Sequence, residues 1–104
     1  MTSKRKVRKK DIKKIVQEFR RGILDGKGSL MMCYAICLPL RSYLRYSFEI
    51  ETDLIEGTVY GANHYWLQMI DGTIIDPTAD QFDYKMPKVY IGKAPEGYEV
   101  PHAS

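Results

Sequence analysis

Three side chains of the sequence supply, in chain order, a nucleophile, a base and an acid able to orient the base: Cys33, His64 and Asp76. Cys33 falls in the first turns of an apolar helical segment after a Gly-Ser loop, His64 opens an aromatic-rich segment after a turn, and Asp76 stands just before Pro77. A thiol at a helix N-terminus feels the positive end of the helix dipole, which favours thiolate. An imidazole beside it can hold that thiolate as an ion pair and later return a proton to a leaving group. A carboxylate on the other ring nitrogen fixes the tautomer and the ring's orientation. Each residue also has an ordinary structural use: a small core residue, a hydrogen-bonded histidine, an acid in a turn. Cys37, one helical turn after Cys33, reads as core. A metal site made of both thiolates and His64 lacks a Cys-x-x-Cys knuckle and needs a fourth ligand such as His102, so neither metal nor cofactor is expected.

Whether His64 and Asp76 can meet depends on the turn at Asp71-Gly72. A two-residue turn pairs Ile70 with Thr73 and Leu67 with Asp76, which puts Asp76 on the face of Tyr65 and Leu67, away from His64. A three-residue turn of Ile70, Asp71 and Gly72, with Gly72 left-handed in a G1 bulge, pairs Met69 with Thr73. Trp66 then faces Asp76, and His64 lies on the same face, one diagonal away. A catalytic pair therefore requires the bulged hairpin.

The elements that must hold these residues follow from the hydrophobic pattern. Residues 1–10 read as a basic flexible arm, and 11–104 as one domain. Ile12, Ile15, Val16, Phe19 and Ile23 fall at helical spacing, with Lys13, Lys14, Glu18 and Arg20 mostly on the other side. Asp11 is the expected N-cap, and Gly26 and Gly28 end the helix near Asp25. A second helix runs from Ser29 or Leu30 towards Tyr46. Its first half is apolar on nearly all sides, which predicts a central, buried helix, kinked or split at Pro39.

After Tyr46 the period becomes two. Phe48, Ile50 and Thr52 predict a half-buried strand that continues over Leu54 to Tyr60, with a bulge or turn at Gly57. Gly61-Ala62-Asn63 reads as a turn, His64 to Ile70 as a central strand, and Thr73 to Asp76 as its return. Thr78 to Pro87 is a loop or short helical turn, Lys88 to Ile91 a last strand, and the rest, with Pro95, Gly97 and Pro101, loop and tail. Two helices followed by an antiparallel meander give an α+β fold with both helices packed on the sheet.

The run His64-Tyr65-Trp66-Leu67 followed by Asp71-Gly72-Thr73-Ile74-Ile75-Asp76-Pro77-Thr78-Ala79-Asp80-Gln81-Phe82 resembles the His-and-Asp half of the transglutaminase-like group, within the papain-like cysteine-enzyme superfamily. Cys33-Tyr34-Ala35 matches its nucleophile position, and the resemblance spans about residues 28 to 82. It implies a papain-like or transglutaminase-like core. It also implies Cys33 as nucleophile, His64 as base and acid, Asp76 as orienter and Trp66 lining or shielding the site. The chemistry implied is acyl transfer at a peptide or protein amide through a thioester, by hydrolysis, deamidation or cross-linking. Papain-like peptidases carry a Gln upstream of the Cys for the oxyanion hole; Lys27 to Met32 contain neither Gln nor Asn, and Gln17 lies in the first helix. The hole would combine the Cys33 N–H with a second donor, for which Asn63 and Tyr65 are the candidates.

Composition bounds the rest. The chain has 104 residues, 44% hydrophobic and 28% charged, which is globular rather than disordered. The longest mostly apolar run, Leu30 to Leu40, is too short to cross a bilayer and is interrupted by Pro39. No apolar segment of the secretory kind follows the basic N-terminus, and two cysteines make no disulfide framework, so a cytoplasmic setting with free thiols is expected. Residues 1–27 hold eleven Lys/Arg against three Asp/Glu, while the remainder is acidic. The alternative to an enzyme is accordingly a non-catalytic binding module whose basic arm meets nucleic acid or a partner protein. Little chain remains for substrate-binding walls, so a homodimer or a partner is a candidate to complete the cleft.

Overall fold

The computed structural model describes residues 8–24, 33–81 and 87–100. Two helices, α1 (Lys9–Leu24) and α2 (Cys33–Phe48), precede a curled antiparallel sheet of five strands. The strands are β1 (Thr52–Val59), β2 (Ala62–Met69), β3 (Ile74–Asp76), β4 (Tyr90–Gly92) and β5 (Tyr98–Glu99), in the spatial order β4-β3-β2-β1-β5. The fold is therefore α+β, and β2 takes the middle position that its apolar residues on both faces predict. Residues 1–7 of the expected arm, the Lys27–Ser29 loop with Gly26 and Gly28, the expected helix start at Ser29 or Leu30, and Phe82, Pro101 and His102 lie outside the described residues.

α1 begins one turn earlier than its pattern suggests, so Lys9 and Lys10 are helical rather than part of an arm. The Arg8 carbonyl accepts from the Asp11 and Ile12 amides, which puts Asp11 in the first turn instead of at the N-cap. There its carboxylate faces the positive end of the dipole and bonds Arg8 Nε at 3.2 Å. The buried row is Ile12, Val16, Arg20 and Leu24, spaced by four. Ile23, expected on the apolar stripe, is 41% exposed, and Arg20, expected on the polar side, is buried.

α2 is not buried all round. Cys33, Ile36, Cys37, Leu40 and Leu44 form its inner face, while Tyr34, Leu38, Tyr43 and Tyr46 are exposed. Nor does Pro39 split it: the helix runs through, because Pro39 and Ala35, whose carbonyl loses its partner, both face solvent and water can serve that oxygen. Phe48, expected in a strand, closes the helix. Glu49 turns left-handed (φ 57°) and donates its amide to the Arg45 carbonyl, and the Ile50 amide bonds the Leu44 carbonyl.

β1 and β2 pair without interruption from Thr52↔Met69 to Val59↔Ala62. Gly57 therefore marks no bulge. A Cβ there would stand 2.4 Å from the Trp66 ring and 2.5 Å from the Glu99 carbonyl, so the position is bare to admit an indole and a neighbouring backbone. The turn between these strands is Tyr60-Gly61, both left-handed (φ 48° and 83°), the two-residue type that matches strand twist. Ala62 and Asn63, expected in the turn, are already strand. The C-terminal region, expected to be loop and tail, supplies β5, which pairs with β1 at Val59↔Tyr98 and Thr58↔Glu99.

Pleating sorts the side chains onto two faces. Leu54, Leu67, Ile75 and Ile91 join Ile12, Val16, Cys37, Leu40 and Leu44 in the main core under the helices. Their neighbours Ile55, Val59, Trp66, Ile74, Tyr90 and Tyr98 form a second cluster inside the curl.

Candidate functional site

The hairpin between β2 and β3 has the three-residue, bulged form. The Gly72 amide donates to the Met69 carbonyl at 2.9 Å, and Gly72 is left-handed at φ 92°. The Met69 amide donates to the Thr73 carbonyl at 2.8 Å, and Leu67↔Ile75 and Gln68↔Ile74 continue that register. The Asp71 carboxylate accepts from the Thr73 amide at 2.9 Å, a local bond that fixes the corner. Asp76 then shares the face of Trp66 and His64, on the second cluster's side of the sheet.

His64 and Asp76 meet there. His64 Nε2 lies 2.8 Å from Asp76 Oδ2, and both side chains are 0% exposed. Asp76 Oδ1 accepts from the Thr78 amide at 3.0 Å and from its hydroxyl at 3.4 Å, and Oδ2 also accepts from the Tyr98 hydroxyl at 2.5 Å. With Nε2 donating to Asp76 Oδ2, the lone pair able to take a proton belongs to Nδ1. That is the tautomer a general base requires. Burial and then the Asp76 charge push the Tyr98 phenol well up, so it remains a donor across the ordinary pH range.

Trp66 is buried beside the pair, its ring centroid 6.0 Å from that of His64 and 5.1 Å from that of Tyr98. Its side chain is buried, with almost no surface open to solvent. Asn63 and Tyr65 flank His64 on β2 and so project to the other face. Asn63 is exposed, opposite Thr58. Tyr65 stands opposite Glu56, and its ring meets Tyr34 of α2 edge-on at 4.9 Å. Desolvation first, and then the Glu56 carboxylate, push the Tyr65 phenol up.

α2 crosses β2 at this same point. Cys37 Sγ donates to the Tyr65 carbonyl at 3.6 Å. Burial, and then the charges of Asp76 and Cys33, push its thiol well up, so Cys37 is a protonated core residue as its spacing suggests. Cys33 is the first residue of α2, one turn before Cys37, and is 9% exposed. Among the described residues no hydrogen bond joins the Cys33 thiol to the His64 ring. The structure thus brings together two of the three residues; Cys33 opens α2, whose Tyr34 and Cys37 contact Tyr65, the neighbour of His64 that projects to the other face of β2. Both cysteines are free, and no cluster of three metal-ligating side chains occurs among the described residues. No described helix is long and apolar enough to cross a membrane.

The sequence signals missed three contributors. Thr78 was legible in Asp-Pro-Thr, since an Asp bonding the amide two residues on is a common turn device. Arg20 donates to Asp80 at 2.9 Å, to the Pro77 carbonyl at 3.2 Å and to the Lys88 carbonyl at 2.6 Å, pinning the loop that follows Asp76 to α1. Tyr98 left no local signal.

No protein-family model, curated protein or solved structure matches the chain. The functional reading therefore rests on the residues and their geometry.

Proposed function

We infer that this protein is a small Cys-His-Asp acyl-transfer enzyme with a papain-like or transglutaminase-like core, acting on a peptide or protein amide. The observation that carries the reading is the buried His64–Asp76 pair, together with Cys33 opening the helix that packs on the same strand. In the reaction, the Cys33 thiol passes its proton to His64 Nδ1 and the sulfur attacks the amide carbonyl. The C–N bond breaks, the amine leaves with the proton from the imidazolium, and the acyl group remains as a thioester. Water or a second amine, deprotonated by the same nitrogen, resolves it. The Cys33 amide at the helix start is one donor to the developing oxyanion.

The test is alkylation of Cys33 by iodoacetamide against pH, in a Cys37→Ala background. An activated nucleophile reacts at pH 6 far faster than a simple thiol, and His64→Ala removes the excess. A rate at pH 6 no greater than that of a simple thiol removes the enzyme reading.

A second reading has one observation in its favour: the pair is sealed and Cys33 nearly so. On it, His64–Asp76 is a structural bond in a binding module. The exposed Lys10, Lys13, Lys14 and Arg21 of α1 would then face nucleic acid or an acidic partner. Salt-dependent binding to a random-sequence DNA duplex, weakened by charge reversal on α1, supports this reading, and its absence rejects it.

A further inference from the structure

β5 is only two residues long, yet it reaches the centre of the site. β3 and β5 are three strand positions apart, roughly 14 Å in a flat sheet, farther than a tyrosine extends. The Tyr98 hydroxyl nevertheless bonds Asp76 of β3, so the sheet must curl around Trp66 for the two to meet. Several features serve that approach. Gly57, opposite His64 on β1, is bare where Trp66 and the Glu99 carbonyl come close. The Gly97 carbonyl accepts from the Tyr60 amide at 2.9 Å, and the left-handed Gly97 (φ 93°) has no room for a side chain beside the Tyr60 ring. The Tyr98 ring packs on Trp66 at 5.1 Å and on His64, edge-on, at 6.2 Å.

The oxygen that Tyr98 holds is the one that accepts from His64. Two donors on one carboxylate oxygen compete for its charge. We propose that Tyr98 is a positioning residue: through Asp76 Oδ2 it sets how strongly Asp76 holds the His64 ring, so the C-terminal strand tunes the base. The proposal rests on the functional reading above only for the purpose of that tuning; the bond itself is tested independently.

The readout is the NMR resonance of the buried proton on His64 Nε2. Tyr98→Phe keeps the ring packing and removes one donor from Oδ2. The His64–Asp76 bond then strengthens, and the proton moves downfield. Replacing Tyr98 by 3-fluorotyrosine, a stronger donor, moves it upfield, and this nearly isosteric change preserves the fold. Tyr90→Phe, a neighbouring ring with its hydroxyl on the Lys93 carbonyl, leaves the resonance in place. A proton that stays put in both Tyr98 variants reduces Tyr98 to a packing residue and overturns the proposal. Failure of the enzyme reading shows separately, as slow Cys33 alkylation in the parent protein whatever the resonance does.

Discussion

His64 and Asp76 share one face of the sheet because the turn between their strands has three residues and not two. Ile70, Asp71 and Gly72 form it, and Met69 pairs with Thr73 as a result. One residue fewer would carry Asp76 to the face of Leu67, into the core under the helices. A bulge at a turn thus decides whether an imidazole and a carboxylate twelve residues apart can bond at 2.8 Å.

Gly72 is the residue this turn depends on, and the cost of replacing it is a backbone cost alone. Its φ is +92°, and nothing lies within 4 Å of a Cβ built there. Gly72→Ala should lower stability by about 1–2 kcal/mol through left-handed strain. Urea unfolding measures it, and a midpoint equal to that of the parent protein would show that the turn does not require glycine.

Gly57→Ala acts by collision instead. The new methyl would meet Trp66 and the Glu99 carbonyl at distances that real contacts do not allow, so the indole or β5 must shift. Overpacking of this kind costs about 1–3 kcal/mol. The emission of Trp66, the single tryptophan, should change with it, because the ring leaves its buried seat. Unchanged emission together with unchanged stability would contradict the close approach.

These positions show what a sequence can and cannot display. The bulged register was legible only as a condition: hairpin geometry is local, and of the two turns weighed at Asp71-Gly72 the three-residue one brings His64 and Asp76 to one face, but nothing in the residues themselves excludes the tighter turn. The two-faced apolar pattern of His64 to Ile70 placed β2 at the centre for a similarly local reason. Arg20 was sorted with the polar side because a charge in an apolar row reads as solvent-facing; its acceptors, Asp80 and two carbonyls, come from about sixty residues later. Tyr98 was invisible for the same reason, since nothing in Glu96-Gly97-Tyr98 names the carboxylate it will bond. At Phe48 the alternating pattern suggested a strand, but the helix continued to the left-handed Glu49.

Arg20 should matter more than a surface charge. Its side chain is 10% exposed and serves Asp80 and two carbonyls at once. Arg20→Ala leaves the buried Pro77 carbonyl without its donor and should cost about 1–3 kcal/mol, the range for a buried polar group left unsatisfied. Arg20→Lys should recover only part of this, because an ammonium lacks the planar fork that spans the separate acceptors. Hydrogen exchange at the Thr78 amide, which bonds Asp76, should quicken in both variants, as the loop behind the carboxylate loosens. Unaltered exchange would mean that α1 does not brace the site.

Alkaline pH should destabilise the protein in two separable steps. Burial, Asp76 and Cys33 raise the Cys37 thiol in the folded state, and burial with Asp76 raises the Tyr98 phenol. An unfolded thiol titrates near about 8.5 and an unfolded phenol near about 10. Above each of these values the unfolded chain releases a proton that the folded chain retains. The native state then binds more protons, so stability falls as pH rises, by up to ~1.4 kcal/mol per pH unit for each group. Below about 8.5 both contributions are fully present. Urea midpoints followed from pH 7 to 11 should therefore be level at first and then decline. Cys37→Ala should flatten the decline that begins with the thiol, and Tyr98→Phe a portion of the later part, which the raised Tyr65 phenol shares. A Cys37→Ala curve that falls in parallel with the parent throughout would show that the thiol is not held protonated against β2.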